Sequence, residues 1–156
     1  MANKDEVVAK MQSLKGEIEQ AVSEMPEEAW EQGVYEGGWN ARQVLCHMAS
    51  MSGVVGFVLG IARMPASPSL GASFDENAFN ARLVAAREGK SNADLLGEIK
   101  SNFERDISAL RAAPDDLLGT DFRAPWDVEG ELGDVIVMSL EEHLGTHLAD
   151  LRSAAP

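Results

Sequence analysis

The sequence has little of several residue types that mark familiar protein classes. It holds one cysteine, Cys46, so no internal disulfide can form, as is usual for proteins of a reducing compartment. Its 13 lysines and arginines stand against 26 acidic residues and form no basic run. This composition argues against a nucleic-acid partner and against binding to an anionic membrane surface. Aromatic residues make up only 6% of the chain, so its core must be largely aliphatic.

Other absences bear on location and mechanism. Residues 1–10 are charged and lack the apolar stretch of a secretory signal peptide, so we expect a cytoplasmic protein. The glycine patterns that hold nucleotides or expose a nucleophilic serine are missing. No repeat or linker divides the 156 residues, and a chain of this length buries roughly 68–70% of its unfolded surface. We therefore expect one domain, residues 1–156.

One segment tests the expectation that the protein has no membrane span. Residues 44–62 contain no Asp, Glu, Lys or Arg, and they reach the length of a membrane-span candidate. The same segment contains His47, two serines and three glycines, which lower its hydropathy. We interpret it as a core helix whose sides are nearly all buried, and we expect no membrane span.

The hydrophobic period is helical nearly throughout, and we find no convincing strand. Asn40 with Gln43, and Ser91 with Asp94, are predicted helix caps. The predicted long helices cover about residues 4–24, Asn40 to about Gly60 or Ala62, Ser91 to just before Pro114, and about 131–152, with a short extra helix over 74–88. The fold class is therefore all-α, and four amphipathic helices with two long connections predict a four-helix bundle.

The three histidines lie where core residues are expected. His143 and His147 are four residues apart on the predicted fourth helix, so their side chains share one face, which is otherwise apolar. His47 lies on the apolar face of the predicted second helix. Burying imidazoles without partners costs on the order of 1–3 kcal/mol each. A shared divalent metal ion satisfies all three together.

Two other hypotheses stay open beside a metal-dependent enzyme, because a lone His-x-x-x-His pair is weak evidence for a metal. One is a non-catalytic protein that binds a small ligand or a metal. The other is a structural helical dimer with incidental histidines. A dimer is expected because Val55 and Leu59 are predicted to form a second apolar face that needs covering.

Three segments resemble the DinB family of proteins. Residues 37–53, GGWNARQVLCHMASMSG, resemble its Trp-[Ser/Thr/Asn]-x-x-x-[Val/Leu]-x-x-His segment, with Trp39 and His47 in place. Residues 141–151, EEHLGTHLADL, resemble the closing His-x-x-x-His helix of the family, and residues 74–96 resemble its middle segment. The three segments follow one another in the family's order.

This resemblance implies an up-down-down-up, DinB-like four-helix bundle that is commonly a homodimer. It also implies one divalent ion, such as Zn, Ni, Mn or Fe, held by His47, His143 and His147. The related maleylpyruvate-isomerase N-terminal domains combine a comparable site with a low-molecular-weight thiol cofactor.

Three protein ligands leave a coordination position open, as in catalytic rather than structural zinc sites. The predicted function is therefore a metal-dependent enzyme for a small-molecule substrate. Water or the sulfur of a thiol at the open position gives a hydrolase or a thiol-dependent S-transferase. The alternative is a non-catalytic metal- or ligand-binding bundle.

The catalytic group stays open, as metal-bound water or a thiol, because no protein side chain is a good candidate nucleophile. The expected substrate pocket is walled by residues 62–74 and 113–130, and Ser139 and Asp150 are candidate acceptors that orient the imidazoles. The candidate substrate contacts are Trp39, Arg42, Phe74 and Trp126.

Overall fold

Helices make up most of the protein in the computed structural model, which describes residues 2–155 except for the side chain of Glu36. The elements in chain order are α1 (Lys4–Glu24), α2 (Ala41–Met51), α3 (Val54–Ile61), α4 (Glu76–Ala85), α5 (Asn92–Ala112), β1 (Asp121–Arg123), β2 (Glu129–Glu131), α6 (Leu132–Met138) and α7 (Thr146–Ala154). A π-helical segment, Ser139–Gly145, joins α6 to α7 without a break, and together they form the last helix of the bundle.

The starts of three helices follow from local sequence. In each capping box, the cap side chain accepts the N–H of the residue three positions on, and that residue's side chain bonds back to the cap N–H. The pairs are Asn3–Glu6 at α1, Asn40–Gln43 at α2 and Ser91–Asp94 at α5. The two capping boxes predicted from the sequence are thereby confirmed.

Ion pairs give the directions of α5 and of the last helix relative to α1. Partners of successive α1 residues descend along α5, so these two helices are antiparallel. Partners on the last helix ascend with α1, so these two are parallel. The pairs are Lys15–Glu104, Glu19–Lys100, Lys10–Glu141 and Glu17–Arg152.

Side-chain hydrogen bonds give the direction of α2 and α3. They join positions on α2 or α3 to positions 50 residues later on α5, so these helices run in parallel. The joined residues are Arg42–Asn92, Ser52–Asn102 and Gly56–Asp106. The bundle therefore runs up, down, down and up, as the resemblance implies, and the predicted fold class is confirmed.

The predicted second helix is present over Ala41–Ile61, but a two-residue turn at Ser52 and Gly53 divides it into α2 and α3. Gly53 has no side chain to cap α3. Instead Asp106 of α5, which is fully buried, accepts the N–H of Gly56 at 2.8 Å. Its other carboxylate oxygen accepts a bond of 3.0 Å from the guanidinium of Arg105. A residue on another helix thus satisfies a backbone donor that the first turn of α3 leaves unpaired.

The apolar segment over α2 and α3 lies in the bundle core. Residues 41–61 are long and apolar enough to cross a membrane by length and composition, and 61% of their apolar window is buried inside the protein. The prediction that Val55 and Leu59 form an uncovered face is wrong, since they are only 1% and 3% exposed. The bundle already covers them, with α3 packed against α5. The outward side chain of α3 is Phe57, which is 53% exposed.

A small antiparallel hairpin, β1–β2, lies within the 113–130 connector and the start of the last helix. The prediction that no strand occurs is therefore wrong at this point. Strands of three residues are too short to show the alternation from which strands are predicted. Phe122 of β1 is buried against the core. Within the hairpin turn, the carbonyl of Pro125 accepts the N–H of Leu70 at 3.3 Å, so the two long connectors touch.

Candidate metal centre

The three histidines meet where α2 packs against the last helix. His47 comes from α2, His143 from the π-helical segment and His147 from α7. One ring nitrogen of each lies within 4.8 Å of the other two. The Nε2 atoms of His47 and His143 are 2.9 Å apart, and the ring centroids are separated by 4.9–5.0 Å.

These separations fit a shared metal ion. Two nitrogens bound tetrahedrally at about 2.0–2.1 Å stand roughly 3.3–3.4 Å apart. The 2.9 Å separation of His47 and His143 is slightly shorter than this value, and no separation in the cluster exceeds 4.8 Å, so the three imidazoles are close enough to share one ion. His47 and His147 are each only 1% exposed, whereas His143 is half-buried. The cluster therefore lies inside the bundle, with His143 on its more accessible side.

The imidazole of His47 is held in its neutral form. Burial lowers its pKa from 6.5 to about 3, with a further contribution from His143 and His147. A neutral imidazole has a lone pair to offer a metal at physiological pH. The other ring nitrogen, Nδ1, is buried and has no hydrogen-bond partner among residues 2–155.

His147 is oriented by a carboxylate, as the sequence predicts. Its Nδ1 lies 3.3 Å from Oδ2 of Asp150, one turn further along α7. Such an acceptor places the proton on Nδ1 and the lone pair on Nε2, the nitrogen that would bind a metal. Ser139 has a different role from the predicted one, because its hydroxyl donates to the carbonyl of Val135 at 2.8 Å.

The π-helical segment brings both halves of the last helix into register with the core. The inward side chains of the whole last helix recur every four residues and are at most 3% exposed: Leu132, Ile136, Leu140, Leu144 and Leu148. In a regular α-helix each step of four drifts by about 40°, or about 160° over the series. The wider π-helical turn absorbs this drift. Sequence reasoning missed the segment, although the repeated spacing of four residues indicates it.

Two of the predicted substrate contacts lie near the start of α2. The indole of Trp39 packs against His47 in a tilted arrangement, with ring centroids 4.8 Å apart. The guanidinium of Arg42 is occupied elsewhere, since it donates to the side chain of Asn92 and to the carbonyls of Glu88 and Lys90. Of these two residues, the structure thus brings Trp39 to the histidines and ties Arg42 to the turn before α5.

The other two predicted contacts lie outside the histidine cluster. Phe74 precedes α4 and contacts Phe79, with ring centroids 5.4 Å apart, and α4 packs on α2. Trp126 lies in the hairpin turn and is 36% exposed. A role for either in substrate binding stays a prediction.

An up-down-down-up bundle with three convergent histidines places the protein in the DinB-like class. Residues 12–152 match the family model described as the mycothiol maleylpyruvate isomerase N-terminal domain. The chain belongs to this DinB-like family, and the family resemblance predicted from the sequence is confirmed.

A solved structure supports the same fold. YfiT from Bacillus subtilis is described as a probable metal-dependent hydrolase with an unusual four-helix bundle topology. The match has a TM-score of 0.71 at 20% sequence identity, and it covers 96% of this chain and 86% of YfiT. At this identity the similarity establishes the fold alone. No curated protein matches the chain.

Proposed function

We propose that this protein is a divalent-metal-dependent enzyme that joins a low-molecular-weight thiol to a small electrophilic substrate. The observation that carries the proposal is the convergence of three imidazole nitrogens within 4.8 Å inside the bundle. Membership of a family described by a mycothiol-dependent isomerase supports the choice of a thiol. His47, His143 and His147 are the proposed ligands of a Zn, Ni, Mn or Fe ion.

When bound, the ion would supply Lewis acidity at a position that the three histidines leave open, lowering the pKa of a thiol or water there. The protein's part is to fix that position. Asp150 orients His147 through the 3.3 Å contact, and burial keeps His47 unprotonated. The half-buried side of the cluster at His143 is the proposed approach for the thiol and the substrate.

The proposed substrate contacts differ in how well their surroundings support them. Trp39 lies against the site. Phe74 and Trp126 border the two connectors that meet at Leu70 and Pro125, where they could wall a pocket. Arg42 would have to give up three bonds in order to meet a substrate carboxylate.

Hydrolysis is the second candidate reaction. YfiT, which shares the fold, is described as a probable metal-dependent hydrolase. The same three ligands could serve water instead of a thiol, because both are activated by the same lowering of their pKa. A bundle that binds a ligand without turnover is the remaining alternative.

Turnover assays separate these functions. The purified protein would be loaded in turn with Zn²⁺, Ni²⁺, Mn²⁺ or Fe²⁺ and assayed with glutathione, bacillithiol or mycothiol against electrophiles, including maleylpyruvate. We expect thiol-dependent turnover that His147→Ala abolishes. Turnover without a thiol on esters or amides would favour the hydrolase. No turnover with any combination would contradict an enzymatic role and favour the binding protein.

We further propose one domain over residues 1–156 and a cytoplasmic location, both expected from the sequence, and a homodimer, which the family resemblance implies. With Val55 and Leu59 buried, the apolar side chain of α3 left to meet a partner is Phe57. Light scattering should give twice the chain mass of 16.8 kDa, and Phe57→Ser should lower it. A wild-type particle of 16.8 kDa at micromolar concentration would contradict the dimer.

A further inference from the structure

The ring of His47 lacks the usual support of a metal-binding histidine. Such a ligand normally donates its second ring N–H to an acceptor that fixes the orientation of the ring. His147 has that arrangement with Asp150. The Nδ1 atom of His47 is buried and has no hydrogen-bond partner in the part of the chain that the structure describes. The Nε2 atom of His47 lies 2.9 Å from Nε2 of His143, so packing alone is left to orient the ring on the Nδ1 side.

Trp39 supplies this packing. Its half-buried indole lies on the imidazole of His47, with centroids 4.8 Å apart and ring planes inclined by 40°. The backbone of Trp39 is held on both sides. Its carbonyl accepts the N–H of Tyr35 at 2.9 Å, and the next residue, Asn40, is the cap of α2. The indole is thus attached to a rigid point.

Gly37 provides the space in which the indole lies. Its φ of 74° favours glycine, and a Cβ added there would lie 2.9 Å from Cε2 of Trp39. The neighbouring Gly38 has nearly the same φ, 76°, but a Cβ added there meets nothing within 4 Å. A side chain at either position strains the backbone, whereas only one at Gly37 displaces the indole.

We infer that Gly37 and Trp39 form a clamp that fixes the imidazole of His47 in the orientation required for metal binding. Trp39 is then a positioning residue as well as a proposed substrate contact. The clamp deepens the proposed function and rests on it for the metal. Its effect on the ring of His47 can be measured without a metal.

The first test is made on the metal-free protein by NMR of the imidazole C–H resonances, with those of His47 assigned from His47→Gln. The indole ring current should shift them. We expect Trp39→Ala to move them towards the values of a free histidine, and Trp39→Phe, which retains a stacked ring, to leave much of the shift. Unchanged His47 resonances in Trp39→Ala would overturn the clamp.

The second test is Zn²⁺ affinity, measured by competition with a chromophoric chelator. Loss of a group that orients a ligand typically weakens binding about 10–100-fold, and we expect Trp39→Ala to fall in this range. Trp39→Phe should recover most of the affinity. Gly37→Ala should bind Zn²⁺ more weakly than Gly38→Ala, although both substitutions strain the backbone to a similar degree.

The outcomes separate the two proposals. Wild-type affinity in Trp39→Ala, or equal affinities of Gly37→Ala and Gly38→Ala, would overturn the clamp. If Trp39→Ala fails to fold, the pair of glycine variants decides. If the wild-type protein binds none of Zn²⁺, Ni²⁺, Mn²⁺ and Fe²⁺, the proposed function fails, and the NMR comparison still decides whether Trp39 holds His47.

Discussion

At the scale of single residues, protonation of His47 links the site to stability. The folded protein holds the pKa of this imidazole at about 3, whereas its ordinary value is 6.5. As the pH falls below the ordinary pKa, the imidazole is protonated in the unfolded chain but stays neutral in the folded chain. The unfolded state then binds more protons, so acid favours unfolding. The loss begins near pH 6.5 and is complete near pH 3.

This difference predicts a slope that can be measured. From His47 alone, the free energy of unfolding of the metal-free protein should fall by up to about 1.4 kcal/mol per pH unit. Urea unfolding between about pH 7 and pH 4, with a chelator present, compares the wild type with His47→Gln. The variant should gain stability relative to the wild type as the pH falls, because it lacks the imidazole whose protonation favours the unfolded state. The effects of the carboxylates are the same in both proteins and cancel in the comparison. Parallel curves would contradict the lowered pKa.

Two glycines of α3 give a second prediction at this scale. A Cβ on Gly56 would lie 2.4 Å from Oδ1 of Asp106, whereas one on Gly60 meets nothing within 4 Å. Gly56→Ala should destabilise the protein by about 1–3 kcal/mol through overpacking against a buried carboxylate. Gly60→Ala should be neutral, or stabilising by up to about 1 kcal/mol. Thermal unfolding checks both, and equal effects would show that Asp106 does not hold the start of α3.

At the scale of elements, local chemistry predicts where helices begin better than where they break. The capping boxes that begin at Asn40 and Ser91 are each formed within four consecutive residues, so a local pattern predicts them. The side chain that accepts the N–H of Gly56 in the first turn of α3 is Asp106, which is 50 positions away in the sequence. No local pattern can reveal a cap that arrives from another helix.

The π-helical segment carries its own prediction. Deleting Gly145 should turn the segment into regular α-helix. Leu148 and Leu151 should keep facing the core, because one residue fewer cancels the accumulated drift of the four-residue spacing, but His143 and His147 would then be three residues apart instead of four. We therefore expect the variant to fold and to lose Zn²⁺ affinity. Gly145→Ala keeps the length, and its Cβ would make an ordinary contact of 3.8 Å, so it should retain that affinity. A deletion variant with wild-type Zn²⁺ affinity would contradict the role of this segment.

At the scale of the whole molecule, the sequence predicts what depends on spacing along a helix. The hydrophobic periodicity predicts the four long helices. His47, His143 and His147 lie on the apolar faces of two of these helices, and this predicts that they point inward. The up-down-down-up order came from the family resemblance alone, because the ion pairs that display it join distant parts of the chain.

The pocket residues show where prediction from sequence stops. Arg42 was a candidate for a substrate carboxylate because its charge is visible in the sequence. Its actual partners, Asn92 and the carbonyls of Glu88 and Lys90, are set by how α2 packs beside the start of α5. The sequence placed Trp39 near the site through its position before the cap of α2, but not on the ring of His47.

The most direct test of the account is the metal content of the protein at equilibrium with added Zn²⁺. Elemental analysis after removal of free metal should give about one ion per chain. His47→Gln, His143→Ala and His147→Ala should each lose most of it, and Glu142→Gln, an exposed neighbour in the same helix, should retain it. A wild-type protein with far less than one ion per chain, or with no more than its histidine variants, would contradict a shared metal site.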